Sequence, residues 1–355
     1  MKLEQLLRTK SVLVCCGTGG VGKTSVAAAL ALSAAQVGRR AIVITIDPAR
    51  RLADAIGLRH KIGNEPVLVQ QIGDGQMWAT MLDVGETFDS LVKQFAKNQE
   101  QTDEILQNTF YRNVSRSISG TRDYIAAERL LALHNDSRFD LVIVDTPPTR
   151  SALAFIEAPE RLARFLENQL FKMLISPTLT GMKLITGALQ PVVRTAGKIV
   201  GTAALDDAIA FLRAFAGMED GFRQRAKQSS ALLRGPLTSF VLIASARSDT
   251  LEEASYFADS LQRNNIAIDL VIANRMPPRF GDTSAEVALT RSHDADQDLW
   301  RNLAHLHSEA EEADAQLAKF MLTLPMTSCL RISERSNDIV DLNGITDLTT
   351  SLLVP

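Results

Sequence analysis

The segment Cys16-Gly17-Thr18-Gly19-Gly20-Val21-Gly22-Lys23-Thr24-Ser25 constrains this chain more than any other. It fits the pattern G-x-x-x-x-G-K-[ST]. Ser11–Cys16 before it reads as a buried strand, and the Ala- and Leu-rich stretch Val26–Val37 after it reads as a helix. Strand, glycine loop and helix, in that order, are the setting in which this pattern holds phosphate. Glycines let the backbone curl until successive N–H groups point at phosphate oxygens, and the helix N-terminus adds partial positive charge. The expected nucleotide cradle is Gly17, Thr18, Gly19, Gly20, Val21, Gly22, Lys23, Thr24 and Ser25. Lys23 is placed to reach the β- and γ-phosphates, and the Thr24 hydroxyl to ligate Mg²⁺.

Further short apolar runs read as strands: Ala41–Asp47, Met77–Leu82, Leu141–Thr146, Ser239–Ala246, Asp269–Asn274 and Phe320–Leu324. Helical stretches separate most of them, which implies an α/β fold with a mostly parallel twisted sheet flanked by helices. Ligands of such folds bind beyond the carboxyl ends of the strands. Gly17–Ser25, Asp47, Asp145 and Asn274 all fall there. Two stretches, about 86–135 and 151–234, read as helical throughout. The expectation is one P-loop domain over 1–355, with those stretches contributing a helical subdomain. Within the second, 165–205 is rich in Leu, Ile, Phe and Met, and it forms either an apolar groove or the subdomain core.

Composition narrows the function classes. The net charge of −3 offers no basic field for nucleic acid, so no nucleic-acid partner is expected. The three cysteines, Cys15, Cys16 and Cys329, form no C-x-x-C pair, which points to a reducing, cytoplasmic compartment. Met1–Lys10 lacks a signal-peptide core, and no uncharged apolar run reaches the length of a transmembrane segment. The nearest approach, Met173–Val193, contains Lys183, Pro177 and Pro191 and reads as a helical hairpin. His305 and His307 read as surface residues rather than metal ligands.

Two strand ends carry acids. Ile42–Ile46 leads into Asp47-Pro48-Ala49-Arg50-Arg51, and Leu141–Val144 leads into Asp145-Thr146-Pro147-Pro148. An aspartate after four apolar strand residues is the usual holder of a phosphate-bound Mg²⁺. With the glycine loop, Thr45–Ala49, Asp145–Thr149 and the later pair Asn274-Arg275, the chain resembles the ArsA arsenite-pump ATPase family of P-loop NTPases (SIMIBI class). That family includes the ATPase that targets tail-anchored membrane proteins in the guided-entry pathway. The resemblance spans Ser11 to about Pro325. It implies ATP/ADP and Mg²⁺ as cofactors, Asp47 as the residue orienting the attacking water and standing near the metal, and Asp145 as the magnesium aspartate. Asn274 and Pro325 are implied at the adenine. It also implies a dimer, and a hydrophobic or membrane-protein client.

The chain departs from that family at Thr18, where relatives carry a lysine that reaches the partner's phosphates. A cation aimed at phosphoryl transfer is worth about 10³–10⁵ in rate. Either Arg50 or Arg51 compensates, or the chain forms a heterodimer with a lysine-bearing paralogous ATPase instead of a homodimer. Other readings remain open. An arsenite pump needs three convergent thiolates. A ParA/MinD-type positioning ATPase needs a basic patch, which Asp341–Pro355 lacks. A pseudo-ATPase would not need Asp47, Lys23 and Asp145 intact.

Overall fold

The computed structural model describes residues 2–47, 51–58, 62–117, 119–169, 171–172, 202–291 and 296–353. Within them lies a sheet of eight strands: β1 Val12–Gly17, β2 Arg40–Thr45, β3 Val67–Ile72, β4 Gly75–Met81, β5 Leu141–Asp145, β6 Thr238–Ala244, β7 Ile268–Met276 and β8 Ser328–Ser333. The helices are α1 Leu3–Thr9, α2 Lys23–Gln36, α3 Arg51–Ala55, α4 Val84–Phe95, α5 Gln99–Gln107, α6 Thr109–Ser117, α7 Ser119–His134 and α8 Thr149–Glu167. They continue as α9 Thr202–Ala214, α10 Glu219–Arg234, α11 Ser248–Arg263, α12 Ala285–Arg291, α13 Gln297–Met321 and α14 Leu342–Leu353.

The strand order is β3-β4-β2-β5-β1-β6-β7-β8. All neighbouring pairs are parallel except the edge hairpin β3–β4. β1, β5 and β6 are buried along their whole length, as expected of strands covered on both faces. In α2, small Ala residues alternate with Leu and Val, and it is buried on every side from Val26 to Ala35. A helix with no polar face must lie inside the structure.

The chain divides into two compact units. The first is Met1–Met81, Asp136–Leu153 and Pro236–Pro355; the second is Leu82–Asn135 and Ala154–Gly235. The second unit has its own core, where Phe88, Tyr111, Phe215 and Phe222 pack with ring centroids 5.1–6.0 Å apart in successive contacts. Leu166 and Phe171 belong to that core, whereas Phe165 is exposed. Leu170, Met173–Ile175, Met182, Leu184, Ile185, Leu189 and the whole Met173–Val193 hairpin lie outside the described residues.

Three sequence expectations need correction. Phe320–Leu324 is not a strand: Phe320 and Met321 end α13, and the turn follows. Phe320 is the last buried residue of that helix's apolar stripe. A short apolar run does not distinguish helix from strand by pattern alone. The last strand is β8, so Pro325 precedes it instead of following it. Thr327 Oγ1 donates to the carbonyl of Ile268, at the start of β7. Pro325 therefore sits in a turn at the end of the sheet away from the glycine loop, not at an adenine site. His307 is also misplaced as a surface residue. It is 1% exposed, its Nε2 accepts from Phe280 N–H at 3.3 Å, and its Nδ1 is bonded to the Thr283 carbonyl.

One ion pair is buried inside the second unit. Arg225 donates through Nε to Glu128 at 2.7 Å, and the Glu128 side chain is 2% exposed. Burial pushes the Glu128 carboxyl up, and Arg225 pulls it back down. Removing only the cation leaves a buried carboxylate, so Arg225→Met should cost about 3 kcal/mol. Glu128→Leu/Arg225→Met should recover most of that. Urea unfolding of the three proteins measures both steps.

Candidate active site

The site is built from the carboxyl ends of β1, β2, β5 and β7. Register places Cys15 beside Asp145 and Thr45 beside Asp145, so the glycine loop and both acid-bearing strand ends emerge together. Gly17 leaves β1 against β6, where an added Cβ would lie 2.0 Å from the Ile243 carbonyl oxygen. Gly22, the residue before α2, holds φ at 87° with the Asn274 amide against its Cα. Both positions therefore require glycine.

Asp145 is the centre of the arrangement and is 1% exposed. Its Oδ2 accepts from Thr24 Oγ1 at 2.8 Å and from Thr45 Oγ1 at 3.0 Å. Its Oδ1 is buried without a hydrogen-bond partner. Burial raises its pKa to about 6, against the lowering effect of the two hydroxyls and of Lys23. A buried carboxylate oxygen left open beside the Thr24 hydroxyl fits a divalent cation that also takes phosphate and water oxygens. Among the described residues no group of three His, Cys, Asp or Glu is placed to hold a metal, so the phosphates and waters would have to complete the shell.

Lys23 is largely buried, and desolvation lowers its pKa while Asp145 raises it. Its Nζ donates to the Thr18 carbonyl at 2.7 Å, folding the side chain back over the loop. Thr18 is 2% exposed, and its hydroxyl has no partner. Asn274 Nδ2 donates to the Val21 carbonyl at 2.7 Å, which ties the end of β7 to the middle of the loop. Asp47 follows β2 and stands 3.9 Å from Arg51. Arg50 lies outside the described residues, as do Pro48 and Ala49. Ser25 lies in the first turn of α2. Beside Gly19, Gly20 and Val21 opens a cleft of about 910 Å³, walled by Ser245–Thr250, Arg275, Glu312 of α13 and Glu334.

The structure thus gathers the glycine loop, Asp145, Asp47 and Asn274 at one end of the sheet, and leaves Pro325 at the other. Sequence reasoning missed Thr45 as a second hydroxyl on Asp145. Its signal was the polar residue closing an otherwise apolar strand, directly opposite an aspartate.

A parallel sheet whose central strand ends in a glycine loop, next to a strand ending in a buried carboxylate bonded to the loop's threonine, defines a P-loop nucleoside triphosphatase. The family model described as anion-transporting ATPase (ArsA ATPase) matches residues 9–319. The chain is 26% identical over 277 residues to the ATPase get3 of Schizosaccharomyces japonicus, covering 77% of this chain and 78% of that one. It is 26% identical over 282 residues to the ATPase GET3 of Malassezia globosa, covering 78% and 77%. A shorter match, 29% over 154 residues, joins it to an ATPase ASNA1 homolog of Babesia bovis, covering 43% and 40%. The chain belongs to the ArsA family of anion-transporting ATPases and is an ATP-binding ATPase.

Two predictions follow from this geometry. A proton on Asp145 competes with a cation, so Mg²⁺-dependent nucleotide affinity should fall as pH drops through about 6. The sign for folding is opposite. A carboxyl raised from its ordinary value stabilises the metal-free fold below about pH 4, and that contribution is lost as pH rises through about 6. Asp145→Asn should therefore abolish the pH step in affinity and melt higher than wild type at pH 8 without Mg²⁺. Titration calorimetry and thermal melts across pH 5–8 test both signs. Second, Asn274→Ala removes the brace on Val21 and should weaken ATP and GTP alike by roughly tenfold. A loss confined to ATP would instead assign the amide to the adenine edge.

Proposed function

We propose that this ATPase is a Mg²⁺-dependent dimeric switch that couples ATP binding and hydrolysis to the binding of a protein client. The observation that carries the reading is the open Oδ1 of Asp145, held beside Thr24 and Lys23. Lys23 and the loop amides bind the β- and γ-phosphates. Thr24 and Asp145 hold the metal, with Asp47 nearby, and Asp47 orients the attacking water. Bound Mg²⁺ neutralises charge on the phosphate oxygens. The loop amides are fixed by Asn274 and by the close packing of Gly17 on β6, so their dipoles need no rearrangement as charge develops.

The resemblance to the guided-entry branch of the family, together with relatives named ATPase get3 and ATPase GET3, supports a client that carries an apolar membrane helix. The cysteines argue against a three-thiolate arsenite site. Cys15 and Cys16 are buried in β1, and burial pushes the Cys16 thiol up to about 12. Among the described residues no helix is long and apolar enough to cross a membrane.

Thr18 bears on the dimer. Being buried and neutral, it cannot reach a partner's phosphates. ATP turnover per chain measured against protein concentration tests the reading, with Lys23→Ala as background. A rate that rises and saturates supports a self-assembling, active dimer. A flat rate at the Lys23→Ala level means that turnover needs a lysine-bearing partner chain. Arg51→Ala should lower turnover severalfold if that guanidinium compensates for Thr18, and an unchanged rate excludes it.

A further inference from the structure

A charge is missing from the loop at Thr18, and one arginine beside the loop is held in a conformation that arginine does not favour. Arg275 has φ of +56°. Two other non-glycine described residues share positive φ, Asn265 and Asp296, and both are types that tolerate it. For a long, unbranched side chain such a conformation persists only when the surroundings impose it, and such residues cluster at functional sites.

The surroundings that impose it are visible. In β7–β8, Ala273 pairs with Arg331 and Met276 pairs with Ser333. Asn274 and Arg275 therefore oppose the single residue Ile332, which makes a bulge. On one side the Asn274 amide is bound to the Val21 carbonyl at 2.7 Å. On the other, the Met276 carbonyl accepts from Glu334 N–H at 2.7 Å. With both flanks fixed, the extra residue turns out of the ladder. Bulges beside active sites commonly re-aim a side chain in this way. Arg275 is turned into the cleft that Gly19 and Gly20 also line, and it is exposed.

Among the described residues, three other cations near the loop are engaged. Lys23 is bonded to the Thr18 carbonyl, Arg247 holds Asp249 at 2.8 Å, and Arg51 faces Asp47. The Arg275 guanidinium has no hydrogen bond or ion pair among the described residues. An exposed, unpaired guanidinium on a rigid bulge presents planar donors that match phosphate geometry.

We propose that Arg275 binds the β- and γ-phosphates of the nucleotide, supplying from within the same chain the positive charge that Thr18 lacks. The proposal rests on the glycine loop being the phosphate site, as set out under the proposed function. It makes Arg275 a substrate-contacting residue and lessens the need for a partner's lysine.

The deciding variant is Arg275→Gly, because glycine is at ease at φ of +56°. Its melting temperature should equal or exceed that of wild type, so a loss of function is not a loss of fold. ATP and AMP affinities would be measured on the full chain by competition against a fluorescent ATP analogue. Arg275→Gly should weaken ATP by roughly 10- to 100-fold and leave AMP unchanged. Arg275→Lys should restore part of the loss, and its dependence on salt should match that of wild type more closely than the glycine variant does. ATP affinity and turnover within twofold of wild type in Arg275→Gly would overturn the proposal. So would an equal loss for AMP, which would place the guanidinium on the nucleoside. Wild-type protein that binds ATP no better than Lys23→Ala would sink the glycine-loop reading itself, a result distinct from either of these.

Discussion

The structure at the site depends on one buried carboxylate. Asp145 closes β5, and its Oδ2 gathers hydroxyls from Thr24 at the start of α2 and from Thr45 at the end of β2. Three segments far apart in sequence are thereby fixed at one point. A buried carboxylate is expensive unless hydrogen-bonded, and here one oxygen is satisfied while the other is left open. Burial raises its pKa to about 6 against the pull of both hydroxyls. Native proteins keep such a group where a ligand completes it.

The same economy governs the glycine loop. Its backbone is held chiefly by its surroundings. Ile243 packs under Gly17, Asn274 bonds Val21, and Lys23 reaches back to Thr18. Each support comes from the end of a strand or the start of a helix, so the loop inherits the rigidity of the sheet. Preorganised amides of this kind stabilise charge without reorganising at the moment of reaction.

Much of this was legible in the sequence. The pattern from Gly17 to Thr24 identifies itself because few backbones other than a phosphate loop need that spacing of glycines with Lys and Thr. The acids at Asp47 and Asp145 follow from apolar runs that end in a carboxylate. What escaped was decided by tertiary context. β3 was missed because it is an edge strand facing solvent along much of its length, and Gln70-Gln71 interrupt its apolar run. Phe320–Leu324 read as a strand because five residues cannot reveal which period they obey, and the burial of Phe320 belongs to a 25-residue helix. That error carried Pro325 to the wrong end of the sheet. His307 looked like a surface residue because nothing local announces a loop folding over a helix. The left-handed backbone at Arg275 has no sequence signal, because it arises from the pairing of β7 with β8 and from Asn274 together.

The strand order carries a consequence for how the chain comes to be folded. β1 lies between β5 and β6, pairing Val12 with Val142 and with Thr238. During synthesis, this wholly apolar strand emerges first; β5 follows the first stretch of the helical unit, and β6 follows only after both. Contacts of such long sequence separation slow folding, and an unpaired apolar strand is prone to aggregate while it waits. The glycine loop cannot be braced before Asn274 has left the ribosome. Until β6 follows, β1 has only one of its two native neighbours to pair with.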